Sequence, residues 1–136
     1  MVRTYDPKQV TVALGSHIIT GYADDSFIEI SPSGDGITKK VGCDGEVERA
    51  VTPDDTYLVK ITLLQTSPSN SFLQERYKYD RKTGDGMLPI LIKDLRGGLV
   101  FSSENAWVTK DSVRVRGKEG NNNAWEIATG NGDLDE

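Results

Sequence analysis

The sequence contains one cysteine and one histidine in 136 residues. Cys43 has no second thiol with which to form an intramolecular disulfide, which fits a reducing compartment. A histidine-based metal centre or catalytic triad would have to use His17, which lies between a turn and two isoleucines. These scarcities favour a strand-end role for His17 and an incidental one for Cys43.

Apolar residues are also scarce. They make up 36% of the chain, which is low for a self-contained domain of this length and can mean that association with other copies adds stability. No apolar run approaches the roughly 20 residues that span a bilayer. The N-terminus is polar and lacks a signal-peptide pattern. We predict one domain, residues 1–136, with no membrane anchoring.

Basic residues are outnumbered, with 16 Lys and Arg against 21 Asp and Glu. A protein that grips nucleic acid needs clustered basic residues, so this balance argues against that function but not against a surface past which DNA slides. The acidic pairs Asp24–Asp25 and Asp54–Asp55 are typical of turns rather than of paired catalytic acids. The sequence predicts no catalytic residue, no cofactor and no metal ligand.

Alternating apolar residues predict a chain that is mainly β with one α-helix. We expect two packed antiparallel sheets that form a sandwich or barrel, flanked by the helix. Trp107 and Trp125 lie in predicted strands and are expected in the core. The predicted strands cover a hairpin at 10–20 and segments 27–31, 37–41, 46–51, 57–64, 87–94, 99–108, 113–115 and 124–129.

The helix is predicted at about 69–82, with Gly84 as its C-terminal stop. Ser71 and Gln74 match a capping box, although Ser69 or Asn70 could cap instead. Helical spacing predicts one buried stripe, formed by Phe72, Leu73 and Tyr77.

Two segments contain little apolar sequence. Residues 32–56 form a long polar excursion that buries too little to order itself well, so we expect an arm that orders against a neighbouring subunit. Residues 130–136 are acidic and are expected to form a flexible tail.

Five blocks of sequence resemble, in order, the tail tube proteins of contractile-tailed bacteriophages. They are VGCDGEVERA, ITLLQTSPSNSFL, TGDG, PILIKDL and ENAWVTK. The similarity extends from RTYDP near the start to AWEI near the end, and it includes no nucleotide-binding or catalytic motif.

The resemblance implies hexameric rings whose sheets join into an inner β-barrel and that stack into a tube inside a contractile sheath. DNA would pass through the lumen without specific binding. The implied partners are further copies of the chain and the tail sheath, tape measure, baseplate and tail terminator proteins. The implied location is the virion tail, assembled in the host cytoplasm. The family carries no catalytic residues.

Alternation alone gives the candidate lumen residues Glu29, Glu46, Glu48, Lys60 and Thr62. The candidate inter-subunit residues are Asp35, Lys39, Lys40, Asp44, Arg49, Arg114 and Arg116. Three alternatives stay open: the tube of a phage-like injection device, a monomeric β-sandwich binding module with exposed aromatics, and a small hydrolase that uses an acidic pair.

Overall fold

A computed structural model describes all 136 residues. A short 3-10 helix (Pro7–Gln9) precedes the first strand, and the one α-helix is α1 (Ser69–Thr83). The strands are β1 (Val10–Leu14), β2 (His17–Ile18), β3 (Ile28–Pro32), β4 (Ile37–Val41), β5 (Val47–Val51), β6 (Tyr57–Leu64), β7 (Leu88–Asp94), β8 (Val100–Val108), β9 (Asn122–Thr129) and β10 (Gly132–Asp135).

The strands form two antiparallel sheets. The larger sheet has eight strands in the order β2-β1-β7-β8-β9-β6-β3, and β10 also pairs with β8. The second sheet is the hairpin of β4 and β5. The predicted class, mainly β with one helix and two antiparallel sheets, is confirmed. The two layers predicted for the sandwich are parts of one continuous sheet. The second, separate sheet is the β4–β5 hairpin.

The larger sheet curls around a single core. Val12 of β1, Phe101 of β8 and Ile61 of β6 are fully buried in the same cluster, although they lie far apart in the strand order. Alternation places the inward-facing side chains of β1, β6, β7, β8 and β9 in this cluster. Each fully buried aliphatic or aromatic side chain contributes about 1.5–3 kcal/mol of hydrophobic stabilisation.

The helix packs against the same core through the predicted stripe. Leu73 is fully buried, and Phe72 and Tyr77 pack against the cluster. Gly84 has φ 77° and ends the helix, as predicted. The predicted capping box is wrong, because the N-cap is Pro68, without a side-chain hydrogen bond, and Ser71 lies inside the helix.

Buried polar side chains explain why the helix starts at Ser69 without a capping box. The Ser69 N–H donates to Ser67 Oγ (3.2 Å), while Ser69 Oγ accepts from the Thr20 N–H (3.0 Å). Asn70 Oδ1 accepts from Trp125 Nε1 (2.9 Å). The first helical residues are therefore occupied in tying the helix to the sheet and to the segment after β2.

The strand predicted at Val113 and Val115 is absent. Both side chains are exposed, and no strand lies between β8 and β9. Arg114 instead folds back, with its guanidinium 3.1 Å from Asp111 and 5.1 Å from the centre of the Trp125 ring. The alternation of Val113 and Val115 does not produce a strand, because no neighbouring strand pairs with this segment and Arg114 interacts locally instead.

The acidic C-terminal segment, expected to be flexible, contains a strand. β10 pairs with the first half of β8, and Leu134 lies opposite Phe101. Leu134 packs against the core, so one apolar side chain and a ladder of backbone hydrogen bonds hold this polar segment. The prediction of a free tail was therefore wrong.

Leu134→Ala tests the role of this strand. We expect it to lower the free energy of unfolding by about 1–2 kcal/mol, less than a fully buried leucine because Leu134 is only half-buried. Leu95→Ala is the matched control, since Leu95 is 64% exposed in a turn. Chemical denaturation of both variants measures the two losses of unfolding free energy. Equal losses would contradict the packing of Leu134 against the core.

Candidate assembly surfaces

The β4–β5 hairpin and its turn, residues 37–51, form a projection that we call the hairpin arm. All ten residues of its two strands are exposed. At the turn, the Gly42 N–H donates to the Glu46 carbonyl (2.7 Å), and the Asp44 carboxylate accepts from the Glu46 N–H (3.1 Å). Cys43 lies exposed in this turn. The predicted polar excursion is thus an ordered hairpin outside the core.

The hairpin arm has two chemically different faces. Ile37 lies opposite Val51, Lys39 opposite Arg49, and Val41 opposite Val47. One face, here called the apolar–basic face, therefore carries these six side chains, and its four aliphatic residues are 59–71% exposed. The opposite face carries Thr38, Lys40, Glu48 and Ala50.

The apolar–basic face is unfavourable in an isolated chain. Like charges directly opposite each other on antiparallel strands destabilise a hairpin, and Lys39 and Arg49 have this arrangement. Four exposed aliphatic side chains on one face, in two pairs on either side of the basic pair, also mark a surface that interacts with partners. A partner that supplies negative charge and an apolar surface would offset the charge repulsion and cover the aliphatic side chains.

A second surface lies on the outward face of β3, β6 and β9. Glu29 pairs with Lys60, and Lys60 pairs with Glu126, so three charged side chains form one row. Thr62 follows on the same face of β6. The structure thus brings together three of the five candidate lumen residues. Glu126 was missed, although the inward alternation of Trp125 and Ile127 already places it outward.

The other candidate residues lie elsewhere. Glu46 is in the turn of the hairpin arm, and Glu48 is on its second face, so neither joins the Glu29 row. The inter-subunit candidates divide between this arm region, with Asp35 just before it, and the segment 109–121. Arg114 is held within the chain by Asp111.

Trp107, expected in the core, faces outward. It lies opposite Ala128 and is half-buried, whereas Trp125 is fully buried as predicted. The alternation of β8 explains the difference, because Ala106 and Val108 occupy the inward positions. The outward sheet face therefore carries one large aromatic side chain beside its charged row.

The side chains that could take part in catalysis or metal binding are dispersed over the structure. The His17 ring stacks on Phe72 at 4.1 Å between ring centres, and its Nε2 lies 3.0 Å from Ser69 Oγ. Hydrogen bonds from the hydroxyl and N–H of Thr56 lower the pKa of the Asp54 carboxyl. No cluster of three or more potential metal ligands is present. No helix has the length and apolar character that crossing a bilayer requires.

The fold is similar to components of contractile injection systems. The sheath/tube terminator of the extracellular contractile injection system PVC, in its extended state, has a TM-score of 0.70 at 10% identity, with 99% of each chain covered. The tube-terminating cap of the anti-feeding prophage has a TM-score of 0.63 at 11% identity, covering 99% of this chain and 93% of the cap. A chain of the PVC sheath–tube complex has a TM-score of 0.63 at 10% identity, covering 97% and 91% of the two chains. At these identities the similarity establishes the fold.

The fold is therefore of the class found in terminator and sheath–tube components of contractile injection systems. The chain belongs to the bacteriophage PhiTE tail tube protein family, whose model matches residues 10–135. Structural protein ORF10 of Pseudomonas phage KPP10 is 33% identical over 113 residues. That alignment covers 77% of this chain and 65% of the relative, so the chain spans just under two thirds of the relative's length. The family predicted from the five sequence blocks is confirmed.

Proposed function

We propose that the chain is the repeating subunit of the inner tube of a contractile tail, located in the virion and assembled in the host cytoplasm. Hexameric rings stack head to tail, and DNA passes through the lumen. The observation that carries this proposal is the family match over residues 10–135. The similar folds of tube and terminator components in contractile injection systems support it.

The lumen needs a surface that DNA does not bind. The row of Glu29, Lys60 and Glu126 has one positive and two negative charges, and the whole chain has a net charge of −5. Such a surface repels phosphate and releases few counterions on contact with DNA. We assign this outward face of β3, β6 and β9, including Thr62, to the lumen.

Ring formation also protects the edges of the sheet. β3 ends the strand order of the larger sheet, and an unpaired edge of this kind promotes uncontrolled association. A closed ring of identical subunits covers such edges with defined partners. The subunit acts without turnover, and its other partners are the sheath, tape measure, baseplate and terminator proteins.

A terminator is a second candidate function, favoured by the TM-score of 0.70 to the PVC sheath/tube terminator. A tube subunit extends by stacking, whereas a terminator stops extension after one ring. The two functions therefore predict different products of the same purified chain.

Negative-stain electron microscopy with light scattering on the same sample tests these functions. We expect hollow tubes of uniform width and variable length with sixfold end views. Single rings that do not stack at any concentration would favour the terminator. A chain that stays monomeric and does not extend isolated tail tubes would contradict both and favour the monomeric binding module.

A further inference from the structure

A groove runs along the open side of the curled sheet, where β3 faces the part formed by β1, β7 and the C-terminal segment. Its volume is about 770 Å³. We call it the seam groove, because it follows β3, the strand at one end of the order of the larger sheet. The apolar residues that line it include Val10, Ile28, Ile30, Ile92, Leu99 and Leu134.

The seam groove has an acidic rim. Asp24, Asp25, Asp94 and Glu136 line it, and it contains no lysine or arginine. The one ion pair of the whole chain joins Arg114 to Asp111, so no basic side chain neutralises these four acids. The groove therefore presents apolar surface and unpaired negative charge, the complement of the apolar–basic face of the hairpin arm.

The backbone of β3 is open toward this groove. The Thr62 N–H donates to the Phe27 carbonyl (2.9 Å), and the Ser33 N–H donates to the Thr56 carbonyl (3.0 Å). The odd-numbered residues of this segment thus face β6, and the N–H and C=O of Ile28 and Ile30 point to the free edge. The Ile28 and Ile30 side chains line the groove, so the same residues offer both contacts.

The hairpin arm has the matching pattern. Hydrogen bonds from Gly42 to Glu46 (2.7 Å) and from Thr52 to Gly36 (2.8 Å) show that its even-numbered residues bond across the hairpin. Its odd-numbered residues therefore point their backbone groups outward, and these are the residues of the apolar–basic face. Antiparallel pairing with Ile28 and Ile30 would turn that face into the seam groove.

We propose that the hairpin arm of one copy of this chain adds to the free edge of β3 on a second copy and fills its seam groove. The aliphatic residues of the apolar–basic face cover the apolar lining, and Lys39 and Arg49 lie beside the acidic rim. Pro32 has no N–H and limits the open edge to the two isoleucines. This proposal rests on the proposed function, since it names how copies in the tube contact each other.

Charge reversal on each side tests this contact. Lys39→Glu/Arg49→Glu and Asp24→Lys/Asp25→Lys should each lower the fraction of polymerised chains about tenfold or more, because like charges then meet in the contact. A chain with all four changes should recover tube formation. Lys40→Glu is the matched control, since Lys40 neighbours Lys39 on the opposite face of the arm. Circular dichroism checks that each variant is folded.

Two results would overturn the proposal: normal tubes from the Lys39→Glu/Arg49→Glu chain, or no recovery by the folded fourfold variant. Failure of the proposed function is distinguishable from failure of this contact, because in the first case the unaltered chain itself forms no tube. Cross-linking gives an independent measurement. In a Cys43→Ser background, a tagged Lys39→Cys chain mixed with an untagged Asp25→Cys chain should form mixed disulfide pairs. A Lys40→Cys chain should form far fewer.

Discussion

Replacing residues 37–51 with an Asn-Gly turn should give a folded monomer that no longer builds tubes. All ten strand residues of the hairpin arm are exposed, so its removal takes little from the core. The Thr52 N–H already donates to the Gly36 carbonyl (2.8 Å), and a two-residue turn closes such a pair without strain. We expect the free energy of unfolding to change by less than about 0.5 kcal/mol. Denaturation and electron microscopy of one preparation measure both effects.

The control is a chain in which the arm stays but its second face is changed, Thr38→Ser/Ala50→Ser. These substitutions leave the six residues of the apolar–basic face intact, so tubes should form normally. Tubes of ordinary length from the chain without the arm would show that the arm does not hold subunits together. Loss of folding in that chain would show that the arm stabilises its own subunit, which the structure does not predict.

The elements that sequence alone located are those whose signal is local. β6 was predicted with its observed bounds, because Val59, Ile61 and Leu63 alternate with polar residues and all three are fully buried. Helix α1 was predicted to within one residue at its end, because Gly84 terminates it. In both cases the residues that decide the structure lie within the element or directly at its end.

The elements that sequence missed depend on distant partners. β10 has one apolar side chain facing the core, and it forms a strand because β8 offers a partner beside the end of β9. Conversely, Val113 and Val115 alternate but have no partner strand. Alternation records which face a side chain prefers, while strand pairing is decided by the rest of the sheet.

The candidate surfaces likewise divide into features that local sequence predicts and features that depend on distant parts of the chain. Alternation suggested five outward residues; the register places Glu29, Lys60 and Thr62 on one face, whereas Glu46 and Glu48 lie on the hairpin arm. It could not reveal the seam groove, whose residues come from distant parts of the chain between Tyr5 and Glu136. Nor could it show that Lys39 and Arg49 lie opposite each other, since this depends on the length of the turn between them.

Trp125→Ala should have the largest effect of any single substitution on the stability of the subunit. The side chain is fully buried, its Nε1 donates to Asn70 Oδ1 (2.9 Å), and the Arg114 guanidinium lies over its ring. Truncation leaves a large cavity and removes one of the hydrogen bonds that join helix and sheet, so we expect a loss of about 3–5 kcal/mol. Small domains have only about 5–15 kcal/mol of stability, so much of the chain would unfold at moderate temperature.

Trp107→Ala is the matched control for that measurement, because the Trp107 side chain is half-buried on the outward face, opposite Ala128, and lies outside the core cluster. It should cost less than about 1.5 kcal/mol of unfolding free energy. Chemical denaturation followed by far-ultraviolet circular dichroism suits both variants, since each changes the tryptophan fluorescence. Equal losses would contradict a core in which Trp125 joins helix to sheet. A large loss for Trp125→Ala alone would mean that helix docking supports the curled sheet on which the tube surfaces are built.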